Sequence, residues 1–121
     1  MGEYVANQVI KLMLKKGIQV LGSDILILGF TFKENCPDVR NTKVVDIIKG
    51  LNEYSLNITI YDPWVDPLTV KELSVGKKYD CIILTVAHDE FKVFNISSFC
   101  KESSVIFDVK GIWNFKVDGR L

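Results

Sequence analysis

The sequence predicts an α/β fold: a Rossmann-like open parallel sheet with helices on both faces, preceded by one N-terminal helix. Three observations predict it. Apolar runs of strand length alternate with amphipathic segments along the 121 residues. Each strand run is continuously apolar, as expected where both faces of a parallel sheet are covered, and none shows in/out alternation. Turn-forming pairs such as Asp62-Pro63 and Asp66-Pro67 punctuate the runs. The length suits one domain, so residues 1–121 are expected to form a single unit.

The elements follow in order. Val5, Val9, Leu12 and Met13 lie at helical spacing, and Lys15-Lys16-Gly17 closes that helix with cations in its last turn and glycine beyond. Ile25 to Gly29 is the first buried strand. A polar stretch, Thr31 to Thr42, separates it from a second amphipathic helix marked by Val44, Ile47, Ile48 and Leu51, with Asn41 or Thr42 as its cap. Asn57 to Tyr61 is the second strand. Asp66 before Pro67 reads as the start of a short helix that ends near Leu73. Cys81 to Val86 and Val105 to Phe107 are the third and fourth strands, and Phe91, Phe94, Ile96 and Phe99 between them supply the apolar side of a short helix or two turns. The first helix belongs to no βαβ unit and reads as the tail of a longer element.

Composition narrows the function. Forty-eight per cent of residues are hydrophobic, enough for a packed core, and 15 basic residues balance 15 acidic ones. Nucleic-acid and membrane partners are not expected without a basic excess or an apolar run of spanning length. Cys36, Cys81 and Cys100 are odd in number and irregular in spacing, which points to a reducing compartment, and with one histidine, His88, and no CxxC a zinc site lacks support. No signal peptide is evident, and a cytoplasmic location is expected.

In open parallel sheets ligands sit beyond the carboxyl ends of the strands. The loop after the first strand holds one glycine, Gly29, where a dinucleotide site needs GxGxxG, so no self-sufficient dinucleotide site is expected. Asp62 imitates the ribose-binding acid in position but reads as a turn residue before Pro63. The rim carries Lys33, Arg40 and Lys110, suited to phosphate oxygens, with Phe32 as a ring face or apolar wall. Taken alone, Lys33 and Arg40 equally fit a solvated loop paired with Glu34 and Asp38. His88 reads as a turn residue or helix cap, Cys81 and Cys100 as packing residues, and Trp64 and Trp113 as packing or interface residues. Cys36, before Pro37 and without a nearby histidine, lacks the setting of an activated thiolate.

Leu28-Gly29-Phe30-Thr31-Phe32-Lys33 and Pro37-Asp38-Val39-Arg40-Asn41-Thr42 resemble the Gly-x-x-Phe-Lys…Asp-x-Arg-x-Ser/Thr signature of UDP-glucose/GDP-mannose dehydrogenases, in their C-terminal, UDP-binding domain. Tyr61-Asp62-Pro63 and Phe107-Asp108-Val109-Lys110 agree in order and spacing. The resemblance implies that Phe32 and Lys33 contact a UDP-sugar and that Arg40 reaches NAD held by the N-terminal half of the same enzyme. Lys110 stands where the family often has arginine near the substrate. It further implies that residues 1–17 are the end of the helix linking the two halves, that the parent is a homo-oligomer, and that the nucleophilic cysteine and its assisting residues lie upstream, leaving no catalytic residue on this chain. The Asp-Val-Lys-Gly form is most similar to the branch acting on UDP-N-acetylhexosamines in polysaccharide precursor synthesis. The alternative is a stand-alone α/β nucleotide-sensing or interaction module without enzymatic activity.

Overall fold

A computed structural model describes residues 2–30, 44–62, 77–92, 96–113 and 117–120. Within them run helix α1 (Gly2–Lys15), strand β1 (Asp24–Leu28), helix α2 (Val44–Asn52), strands β2 (Asn57–Tyr61) and β3 (Tyr79–Leu84), the single-turn helix α3 (Asp89–Lys92), a 3-10 turn (Ile96–Phe99), and strands β4 (Cys100–Asp108) and β5 (Gly119–Arg120). The expected helix of Asp66-Pro67 lies outside the described residues, as do the Asn41 and Thr42 caps.

All five strands are parallel, in the order β2-β1-β3-β4-β5. Side chains of β1 and β3 alternate across the sheet even though Ile25 to Leu28 and Cys81 to Leu84 do not alternate in polarity; β2, Asn57-Ile58-Thr59-Ile60-Tyr61, does. Ile25, Ile27, Cys81, Ile83, Val105 and Phe107 meet α1 and α2 on one face. Leu26, Leu28, Ile82 and Leu84 meet Phe91, Ile96 and Trp113 on the other. Both faces of β1 and β3 are thus dry, and each fully buried leucine or isoleucine contributes about 2 kcal/mol. Coverage is incomplete elsewhere. Edge strand β2 is only half-buried, and in β4 the half-buried Cys100 is followed by three exposed residues, Lys101 to Ser103, which is why its first half escaped an apolar-run reading.

The first helix stops for a local reason. Gly17 has φ +74°, Ile18 N–H donates to Met13 O (3.0 Å), and Gly17 N–H to Leu14 O (3.1 Å). These are the paired bonds of a Schellman cap, with Ile18 and Met13 both in the core as its hydrophobic contact. Lys16 Nζ then pairs with Asp118 Oδ1 at 2.7 Å, tying the end of α1 to the segment entering β5.

At the amino ends of the strands, Asp80 Oδ2 accepts from Asp24 N–H (2.8 Å) and Lys101 Nζ (3.0 Å). The hydrogen bond to Asp80 holds the Lys101 ammonium above the ordinary lysine range, partly offset by desolvation. Lys101 is well exposed, so the bridge adds little stability. Such groups knit the amino end of the sheet.

Candidate functional site

Strand order reverses at β1. The chain leaves β1 through α2 to reach β2 on one side, whereas β3 pairs with β1 on the other and leads through α3 to β4. Helices on these two paths lie on opposite faces. The carboxyl ends of β1 and β3 therefore border the cleft where ligands of such sheets bind.

Three strand ends meet there around one carboxylate. The ladder continues past β1 with Gly29 N–H donating to Tyr61 O at 2.9 Å. One residue later Phe30 N–H turns to the Asp62 side chain, with Oδ2 at 2.7 Å. His88 Nε2 reaches the same oxygen at 2.9 Å, and both side chains are fully buried. With Asp62 ionised, His88 Nε2 carries the proton and donates. The His88 ring lies 5.6 Å from that of Phe91, and Phe91 N–H donates to His88 O at 3.0 Å to open α3. His88 is thus at a helix start, as expected, but its side chain has the carboxylate partner that nearby sequence did not supply. Asp62 is corrected from a turn residue to a buried acceptor joining β1, β2 and β3.

Close backbone approach completes this junction. Gly29 has φ +106°, and a Cβ placed on it would lie 2.6 Å from Val86 Cβ and 2.8 Å from Val86 N. Thr85 N–H donates to Leu28 O at 3.0 Å, and the Thr85 hydroxyl lies 2.9 Å from the same carbonyl.

The end of β4 uses a second buried carboxylate. Asp108 Oδ1 accepts from Lys110 N–H (3.1 Å) and Gly111 N–H (2.7 Å), and Oδ2 from Trp113 N–H (2.9 Å). The turn is held from inside, and Lys110 is exposed beyond it. Among the described residues the Lys110 ammonium has no ion-pair partner, which leaves it available to an anion. Trp113 is a packing residue: it is 3% exposed, and its Nε1–H donates to Phe91 O at 2.9 Å.

Of the residues singled out in the sequence, Lys110 lies at this edge. Phe32, Lys33, Arg40, Cys36 and Trp64 lie outside the described residues. Among the described residues no group of three or more His, Cys, Asp or Glu could hold a metal, and no helix is long and apolar enough to cross a membrane. At the end of β1 the Gly29 and Phe30 amides are taken by Tyr61 and Asp62, so these two donors are not open to a pyrophosphate.

Neither described cysteine is an activated nucleophile. Burial pushes the Cys81 thiol far up, and burial also raises Cys100, opposed by a hydrogen bond with Ser104. Iodoacetamide at pH 8 is expected to leave Cys81 unlabelled in the folded protein and to label it in urea, as read by peptide mass spectrometry. Rapid native labelling of Cys81 would show that β3 opens.

Comparisons with known proteins agree with this arrangement. A sequence model of the UDP-glucose/GDP-mannose dehydrogenase family, UDP binding domain, matches residues 26–115. A UDP-N-acetyl-D-glucosamine 6-dehydrogenase of Salmonella typhi is 48% identical over 91% of this chain, and one of Pseudomonas aeruginosa is 46% identical over 91%. The chain spans only 28% and 29% of the lengths of these relatives. The solved UDP-D-ManNAc dehydrogenase of Pyrococcus horikoshii superposes with a TM-score of 0.79 over 98% of this chain and 30% of its own; at 22% identity this likeness shows the fold alone. The strand order, the ligand edge and a family match over three quarters of the sequence lead to one conclusion: the chain belongs to the UDP-glucose/GDP-mannose dehydrogenase family, as its UDP-binding domain.

Proposed function

We propose that this chain grips the uridine diphosphate of a nucleotide sugar for an enzyme that oxidises the sugar C6 alcohol to a carboxylate with NAD. The family match over residues 26–115 carries the reading. The names of two similar relatives, both UDP-N-acetyl-D-glucosamine 6-dehydrogenases, support a UDP-N-acetylhexosamine as the substrate, in polysaccharide precursor synthesis. Residues 1–121 act as the UDP-binding unit, with 1–17 the end of the helix that leads in from an N-terminal NAD-binding half, in a homo-oligomeric parent.

In this reading Lys33 and Lys110 face the phosphate oxygens and Phe32 forms a wall beside the base or sugar. Arg40 reaches toward the NAD of the other half, and the redox chemistry belongs to that half. What this chain supplies is position. Binding energy from the UDP handle, remote from the reacting carbon, orients C6 for reaction.

Titration of the intact protein with UDP and UDP-N-acetylglucosamine, followed by amide chemical shifts, tests the reading. Saturable shifts around Phe32, Lys33 and Lys110 are expected. Lys33→Ala is expected to weaken UDP binding about tenfold, the loss of one charge-assisted hydrogen bond, at an unchanged unfolding temperature. An unfolding temperature that falls with the affinity would make Lys33 a structural residue.

A further inference from the structure

We propose that Asp62 and His88 are positioning residues for nucleotide binding, holding the Phe30 amide where the chain leaves β1. This rests on the UDP-site reading above and extends it to two residues that touch no ligand.

The geometry is specific to the reversal of strand order. Asp62 follows β2 and His88 follows β3, and both strands flank β1, so their side chains converge over the end of β1. There Asp62 Oδ2 takes Phe30 N–H at 2.7 Å and His88 Nε2 at 2.9 Å. Both side chains have zero exposure, so neither reaches a ligand directly. Their effect passes through the backbone of Phe30, which precedes Phe32 and Lys33 by two and three residues.

A buried polar pair is a poor way to gain stability alone. Desolvation cancels much of the attraction, and apolar side chains of similar volume would pack about as well. What apolar packing lacks is direction. A carboxylate that takes the Phe30 amide and the His88 imidazole together ties the ends of β1, β2 and β3 to one another, and a misplaced rim costs affinity steeply. Packing of Phe91 against both the His88 ring (5.6 Å) and the Tyr61 ring (6.2 Å) keeps the imidazole aimed. Asp108 grips its own turn by the same device, a buried carboxylate on loop amides.

The test is UDP titration by calorimetry on the intact wild-type protein, His88→Phe and His88→Gln, with thermal unfolding of each. Phenylalanine keeps a ring against Phe91 and removes the donor; glutamine restores an N–H near the Nε2 position. Should phenylalanine not fit, His88→Leu takes its place. His88→Phe is expected to bind UDP about tenfold more weakly, and His88→Gln to stay within about threefold of wild type, the scale of one hydrogen bond to a charged group. Unchanged affinity in the donor-less variant overturns the proposal. So does equal loss in both variants with equally lowered unfolding temperatures, which would make the pair plain core. If wild type itself binds no UDP, the nucleotide reading fails instead. Hydrogen exchange at the Phe30 amide then still decides whether the pair aims the backbone: faster exchange in His88→Phe than in His88→Gln supports it, and equal rates refute it.

Discussion

Gly29→Ala is expected to destabilise the protein by about 3–5 kcal/mol, measured by urea unfolding. Two costs combine at this position. An alanine held at φ +106° carries backbone strain of about 1–3 kcal/mol. Its methyl would also arrive 2.6 Å from Val86 Cβ and 2.8 Å from Val86 N, and overpacking of that kind costs about 1–3 kcal/mol. The neighbour cannot swing aside cheaply, because one of the two atoms is backbone. Residue 86 follows directly on Thr85, whose amide and hydroxyl both hold Leu28 O. A domain of this size has about 5–15 kcal/mol in total, so the variant should sit near the threshold of folding. A loss under about 1 kcal/mol would mean that β1 and β3 separate more readily at their carboxyl ends than this spacing implies.

Asp108→Ala is expected to cost about 2–4 kcal/mol and to weaken UDP binding in the same variant. Its carboxylate is fully buried and accepts three backbone N–H groups. Water can replace the bonds at the exposed Lys110 and Gly111, but the Trp113 amide is buried and would lose its carboxylate acceptor, the costlier loss. Asp108→Asn separates the contributions. Its single carbonyl oxygen can retain the Lys110 and Gly111 amides, while its amide group faces Trp113 N–H, donor against donor. Most of the UDP affinity should return with the turn, but little of the lost stability, because the costlier Trp113 bond is not restored. Should the alanine variant melt like wild type, the turn is held by Trp113 packing and not by the carboxylate.

The central strands were legible in the sequence because Ile25-Leu26-Ile27-Leu28 and Cys81-Ile82-Ile83-Leu84 are apolar on both faces, and burial on both faces is what the structure gives them. The helix stop at Gly17 was legible for the same kind of reason, since its signal is local. Longer-range features were hidden. β5 is two residues, Gly119 and Arg120, paired with Phe107 and Asp108, and nothing in Gly-Arg marks a strand. Asp118, whose Oδ2 accepts Ile106 N–H at 2.7 Å, sets it in place from 12 residues away in sequence. The partnership of Asp62 with His88 spans 26 residues and exists only because β2 and β3 are both neighbours of β1. A signal was present: two polar residues, each just past the end of an apolar strand, in a sheet expected to reverse its order nearby. Placing the strands side by side, beyond recognising them one at a time, would have brought the two together.

Helix α1 also has a mechanical meaning. Its stripe of Val5, Ala6, Val9, Ile10 and Met13 is pressed into the core, and its last turn is clamped by the Ile18 cap and the Lys16–Asp118 bridge. A rod so mounted, about 21 Å long at 1.5 Å per residue, does not swivel at its base. Torque applied at its first turn passes to α2 and the sheet as a tilt of the whole body. Anything that turned the helix at Val5 would carry the carboxyl-end edge of the sheet with it, as a lever arm travels with its shaft.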